Sequence, residues 1–102
     1  MENETAILQK VRLRASELGA IVWRNNVGKL QDLTGRWVQF GLCKGSSDLI
    51  GHLRGRFLAI EVKAPGKNPT PEQINFIEQV NKAGGIAGWV DDEEQVDALL
   101  NG

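Results

Sequence analysis

Apolar residues return at helical spacing through residues 4–18, where Ile7, Leu8, Val11, Ala15 and Leu18 define one face and Gly19 supplies a stop. Asn3 is placed to cap that helix, with Glu4 in its first turn. Ala20-Ile21-Val22-Trp23-Arg24 changes to a short β-branched and aromatic run and reads as a strand. Asn25–Gly28 reads as a turn and the polar stretch to Gly35 as a loop. Arg36–Phe40 alternates, which predicts a strand with Trp37 or its neighbours facing the core. Gly45-Ser46-Ser47 leads into a strand over Asp48–Leu53, and Arg54-Gly55 marks a tight turn into the longest strand, Arg56–Lys63. On that strand Leu58, Ile60 and Val62 leave one face, and Phe57, Ala59, Glu61 and Lys63 the other.

After the loop Ala64–Pro69, Thr70-Pro71-Glu72-Gln73 has Thr at the cap, Pro at the first helical position and Gln at the third, a capping box. The helix it opens buries Ile74, Ile77 and Val80 and stops at Gly84-Gly85. Ile86–Val90 reads as a strand, and Asp91 or Asp92 caps a short last helix carrying Val96, Leu99 and Leu100. Four strands precede the second helix, and with three of them in the main sheet the order is α-β-β-β-α-β-α, a hairpin-rich sheet followed by a βαβ crossover in an α/β layered domain.

A chain of 102 residues suits one domain, residues 1–102, with a small core that dimerisation would support. No apolar run approaches the roughly 20 residues needed to span a bilayer. The acidic start Met1-Glu2-Asn3-Glu4 is unlike a signal peptide, so a cytoplasmic protein is expected. Cys43 stands alone, which gives no disulfide framework or cysteine zinc site; it is expected in buried packing. Net charge is −1, yet residues 1–69 hold 11 Lys/Arg against 6 Asp/Glu, while residues 70–102 hold Lys82 against 7 acids. That asymmetry suits a phosphate-binding face on one side, and scattered solvated charge equally well.

The chemistry concentrates on the longest strand. Glu61 and Lys63 lie two apart and leave the same face, where an apolar central strand has no need of an acid beside an amine. Asp48, at the start of the preceding hairpin strand, is within reach across the ladder. Two carboxylates meeting there make an oxygen-rich site for Mg²⁺ or Mn²⁺. A neighbouring ammonium could orient water or steady charge on a phosphate. Spacing alone leaves two other readings open: Glu61 and Lys63 as ion pairs on a solvated face, and Asp48 as a cap of the Gly45-Ser46-Ser47 turn.

Gly45-Ser46-Ser47-Asp48 followed by Glu61-Val62-Lys63 resembles the D…ExK signature of the PD-(D/E)XK nucleases. Within that superfamily the chain is similar to the VRR-NUC domains, which stand alone in phages and bacteria and are fused in the Fanconi-associated nuclease. The likeness runs from the first helix with Glu4 through Trp23-Arg24-Asn25-Asn26, the Asp48 strand, Phe57–Lys63 and Thr70-Pro71-Glu72-Gln73 to Ala83-Gly84-Gly85-Ile86-Ala87. It implies a restriction-endonuclease-like core, a mixed sheet flanked by helices. It implies a divalent metal on Asp48, Glu61 and the Val62 carbonyl, with Lys63 activating water or stabilising charge. Gln73 matches a glutamine that faces the site, and Glu4 an acid completing the metal shell in related resolvases. Each also has a local reading, as a capping-box side chain and a helix N-terminal charge. Ser47 stands where the family often has proline, a residue that shapes the turn and does no chemistry.

The resemblance further implies an endonuclease leaving 5′-phosphate and 3′-hydroxyl ends. A two-fold homodimer would suit a four-way (Holliday) junction in a bacterial cell or phage-infected host. The alternatives are a nuclease for flap, single-stranded or duplex DNA, and a DNA-binding module that has lost its chemistry. Arg24, Asn25, Asn26, Lys29, Arg36, Lys44 and Lys67 are candidate phosphate contacts, although each taken singly reads first as a solvated surface residue. Trp23, Trp37 and Trp89 are expected in the core or a dimer interface rather than stacked on bases. His52 has no companion histidine and is not read as a ligand.

Overall fold

Alternation along the two central strands decides the layers. The computed structural model describes residues 3–101, so Met1 and Glu2 of the acidic start lie outside them. Leu49 and Leu53 of β4 (Leu49–Leu53) and Leu58, Ile60 and Val62 of β5 (Arg56–Val62) enter one core. Helix α1 (Glu4–Glu17) covers it with Ile7, Leu8, Val11 and Ala15, and α3 (Gln95–Asn101) with Val96 and Leu100. Ile50 and Ala59, with Ala87 of β6 (Ile86–Val90), form a smaller core under Ile77, Phe76 and Val80 of α2 (Pro71–Lys82). The result is a helix–sheet–helix sandwich.

The sheet runs β1-β4-β5-β6, with β1 (Ile21–Arg24) at one edge. Strands β1, β4 and β5 pair antiparallel, and the α2 crossover sets β6 parallel to β5. Counting only this sheet and its helices, the order is the expected α-β-β-β-α-β-α. Local chemistry fixes the joints as anticipated. Asn3 Oδ1 accepts from the Ala6 N–H at 2.8 Å to cap α1, and the Thr70–Gln73 capping box opens α2. Asp92 Oδ1 accepts from the Glu94 N–H at 2.9 Å ahead of α3. Arg54 and Gly55 take φ of 52° and 75°, the doubly positive pattern of a two-residue hairpin turn.

One departure is large. The segment expected as turn and loop contains β2 (Gly28–Gln31), which pairs only with β3 (Trp37–Phe40) in a separate two-stranded sheet. Trp37 is 68% exposed and Val38 and Phe40 are also exposed, so this strand does not face the core. Alternation identified a strand but carries no information about which sheet receives it. Trp23 and Trp89 are exposed as well, and Cys43 is exposed rather than packed. Among the described residues no helix is long and apolar enough to cross a membrane.

Gly51 lies where β1 and β4 approach most closely: a Cβ there would sit 1.8 Å from the Ile21 carbonyl oxygen. Gly51→Ala must therefore push the edge strand away. We expect a loss of about 1–3 kcal/mol or more, read as a lower urea midpoint.

Candidate active site

The pairing register sets Asp48 against Glu61. Leu49 faces Ile60 across the β4–β5 ladder, and one step further the ladder opposes Asp48 and Glu61 on the α2 side of the sheet. The Asp48 carboxylate is held by the backbone, with Oδ2 accepting from the Val62 N–H at 2.9 Å. In an extended strand the N–H and C=O of one residue leave on the same side, so the Val62 carbonyl is directed to the Asp48 side too. The other side of β5 is taken by β6, where the Lys63 N–H donates to the Val90 carbonyl at 2.9 Å.

Glu61 is 2% exposed, at the end of an otherwise apolar strand. Gln73 Nε2 donates to its Oε1 at 3.3 Å, and Lys63 Nζ lies 4.0 Å from the same oxygen. Its second oxygen, Oε2, is buried with no hydrogen-bond partner. Burial first, then the adjoining Asp48 carboxylate, push the Glu61 carboxyl up from 4.5 to about 9, against the opposing pull of Lys63. The charge of Glu4 adds to that rise. A buried carboxylate set beside another, with one oxygen unsatisfied and a single ammonium 4.0 Å from the other oxygen, is undercompensated. The chemistry of these donors, two acidic side chains on neighbouring strands, suits a hard divalent cation.

Gln73 makes two side-chain contacts at once. Its Oε1 accepts from the Thr70 N–H at 2.8 Å, closing the capping box, while Nε2 reaches Glu61. The helix start is thereby coupled to the acid. Gln73→Ala is expected to cost about 0.5–1.5 kcal/mol and, if the cleavage implied by the resemblance occurs here, to weaken it about tenfold or more; denaturation and turnover measured on one preparation test both effects. Glu4, exposed in the first turn of α1, acts on Glu61 through its charge. Among the described residues, however, no group of three or more His, Cys, Asp or Glu side chains is gathered as a metal site.

Of the candidate phosphate contacts, Arg24, Asn26, Lys29, Lys44 and Lys67 are exposed, while Arg36 pairs with Asp32 at 3.3 Å. Asn25 is different. Its Nδ2 donates to Ser46 Oγ at 2.8 Å and to the Ser47 carbonyl at 2.9 Å, and its Oδ1 accepts from the Leu42 N–H at 3.1 Å. Its own N–H donates to the Asp48 carbonyl at 2.7 Å. The amide is thus engaged within the protein, as a clasp around the segment that carries Asp48, instead of being left for a phosphate. Sequence reading missed this role. The only signal was that Asn25 and the Ser46-Ser47 pair each adjoin a strand end.

A family model described as the VRR-NUC domain matches residues 2–91. Among solved structures, a VRR-NUC domain is similar to this chain at 28% identity and a TM-score of 0.64, covering 96% of this chain and 94% of that one. No curated protein matches it in sequence.

Proposed function

Since the chain belongs to the VRR-NUC family, a group of nuclease-type domains that act on DNA, we propose that it is a metal-dependent endodeoxyribonuclease with Asp48, Glu61 and Lys63 at its centre. The observation that carries this reading is the Asp48–Glu61 pair, in which a buried acid has an orphaned oxygen and a raised pKa. Mg²⁺ or Mn²⁺ held by Asp48, Glu61 and the Val62 carbonyl, with Glu4 as an outer contributor, would polarise the scissile phosphate and acidify the attacking water.

The protein's own residues do the remainder. The Val62 N–H fixes the Asp48 carboxylate, and Gln73 fixes that of Glu61, so both present oxygens without reorganisation. Lys63, 15% exposed at its side chain, brings an ammonium to the same edge. There it orients water and offsets charge as the phosphorus gains a fifth oxygen. Water oxygen bonds to phosphorus as its proton passes to solvent, the bond to the 3′-oxygen breaks as that oxygen takes up a proton from solvent, and the products carry 5′-phosphate and 3′-hydroxyl. Arg24, Asn26, Lys29, Lys44 and Lys67 supply the phosphate contacts that hold the strand.

For substrate, we favour four-way junctions cut by a homodimer. Exposed Leu30, Val38 and Phe40 on the hairpin, and Ile21 on the edge strand, give an apolar surface that a second copy would cover. Two sites related by a two-fold axis match the symmetry of a junction. The test is product mapping on end-labelled junction, flap, duplex and single-stranded DNA, with sedimentation to determine the oligomeric state. Paired symmetric nicks in the junction, with Lys63→Ala slower by about 10²- to 10³-fold, are expected. Preferred cutting of flap or single strands would move the substrate assignment, and a monomer cutting one strand would remove the symmetry argument.

A further inference from the structure

The β2–β3 hairpin has an unusual construction: a two-stranded sheet contributing no residue to either core, yet fastened at both ends. An isolated hairpin is marginal in water. This one is knotted at its tip by Asp32, whose carboxylate accepts from the Thr34 N–H at 2.8 Å, Thr34 Oγ1 at 2.7 Å and the Arg36 N–H at 3.0 Å. At its root Asn25 ties Leu42 to Ser46 and Ser47, immediately before Asp48. The hairpin therefore leaves the sheet at the end where Asp48 and Glu61 meet. Its four-residue strands rise about 13 Å along their length.

The register separates its two faces. Leu30 opposes Val38 and Gly28 opposes Phe40 on one, closed by the Asp32–Arg36 pair. Lys29 opposes Gln39 and Gln31 opposes Trp37 on the other. Gln31 Nε2 donates to the Gly35 carbonyl at 3.2 Å, stiffening the turn beneath Trp37. This second face thus presents a cation, an amide and a broad aromatic ring that is 68% exposed. Lysine suits a phosphate, and an open indole suits the flat face of a base. Within a continuous duplex base faces are already stacked, so a ring of this kind finds a partner only where stacking is interrupted.

We infer that the hairpin is a DNA-reading arm, whose Lys29, Trp37 and Gln39 face lies on DNA beside the active site, with Trp37 stacking on a base left unstacked at a branch. This rests on the nuclease reading and deepens it: the arm would be the source of preference for branched DNA.

The experiment compares Glu61→Gln protein, used to prevent cutting, with the same protein carrying Trp37→Ala or Trp37→Phe. Affinity is measured for a four-way junction and for a linear duplex of equal length, with 2-aminopurine at the branch as a stacking reporter. Trp37→Ala should lower the junction-to-duplex affinity ratio about tenfold or more and abolish the change in 2-aminopurine fluorescence; Trp37→Phe should restore most of both. An unchanged ratio, or an equal loss on both DNAs, overturns the arm. So does a Trp37→Ala protein that sediments as a smaller species, because the ring would then contact a second copy. Wild type that cuts nothing, while Glu61→Gln still shows the Trp37-dependent ratio, would sink the nuclease reading and leave the arm standing.

Discussion

Glu61→Gln is expected to reduce cleavage by about a thousandfold or more while making the metal-free protein more stable at pH 8. The loss follows because charge stabilisation by a bound cation is worth several kcal/mol, at about 1.4 kcal/mol per factor of ten. The gain follows from the raised carboxyl. Glu61 titrates near 9 when folded and near 4.5 when unfolded. Between those values the folded chain holds the extra proton, so stability falls as pH rises from about 4.5 and levels off above about 9. A glutamine amide has no proton to release on unfolding, so it escapes this loss, and it can donate to Asp48. At pH 8 the variant should gain on the order of 2 kcal/mol, and the two proteins should converge below pH 4.5. Thermal melts of both proteins from pH 4 to 9 give the comparison. A wild type whose stability is flat across that range would show that the acid is not held in the strained state described here.

The second large effect expected is linkage between the proposed metal and the fold. A cation that relieves the Asp48–Glu61 pair binds the folded chain alone. At about 100 times its Kd it should add about 2.7 kcal/mol and raise Tm by roughly 10–20 °C for a domain of this size. Asp48→Asn should remove most of that shift, since it deletes the carboxylate that the Val62 N–H holds in place. Melts with Mn²⁺, with Ca²⁺ and with chelator, on wild type and Asp48→Asn, distinguish a site effect from general salt screening. Equal shifts in the two proteins would place the ion elsewhere.

Much of this is legible in the amino-acid sequence. Alternation on Arg56–Val62 separated Leu58, Ile60 and Val62, which enter the larger core, from Ala59 and Glu61 on the α2 side, because a strand has no other way to dispose its side chains. Thr70-Pro71-Glu72-Gln73 fixed the start of α2 for an equally local reason, the satisfaction of its first N–H groups. That Gln73 faces the acid was implied by the family resemblance rather than by the capping box, and two functional groups on one amide permit both contacts. What could not be read was non-local. The apolar residues of β3 announce burial, yet Trp37 and Val38 lie on a hairpin outside both cores. Only the pairing of β2 with β3 reveals this, and Gly28-Lys29-Leu30-Gln31 carries too weak a pattern to predict it. Asn25 likewise sits beside Ser46 and Ser47 because β1 pairs with β4, a relation separated by some twenty residues of chain.

The most direct test of the central claim is cleavage of end-labelled DNA by wild type and Glu61→Gln, each with Mg²⁺, with Mn²⁺ and with EDTA. We predict cuts only in the wild type and only with a divalent ion. Folded, metal-supplied wild type that leaves every substrate intact, or Glu61→Gln that cuts as well as wild type, would contradict it.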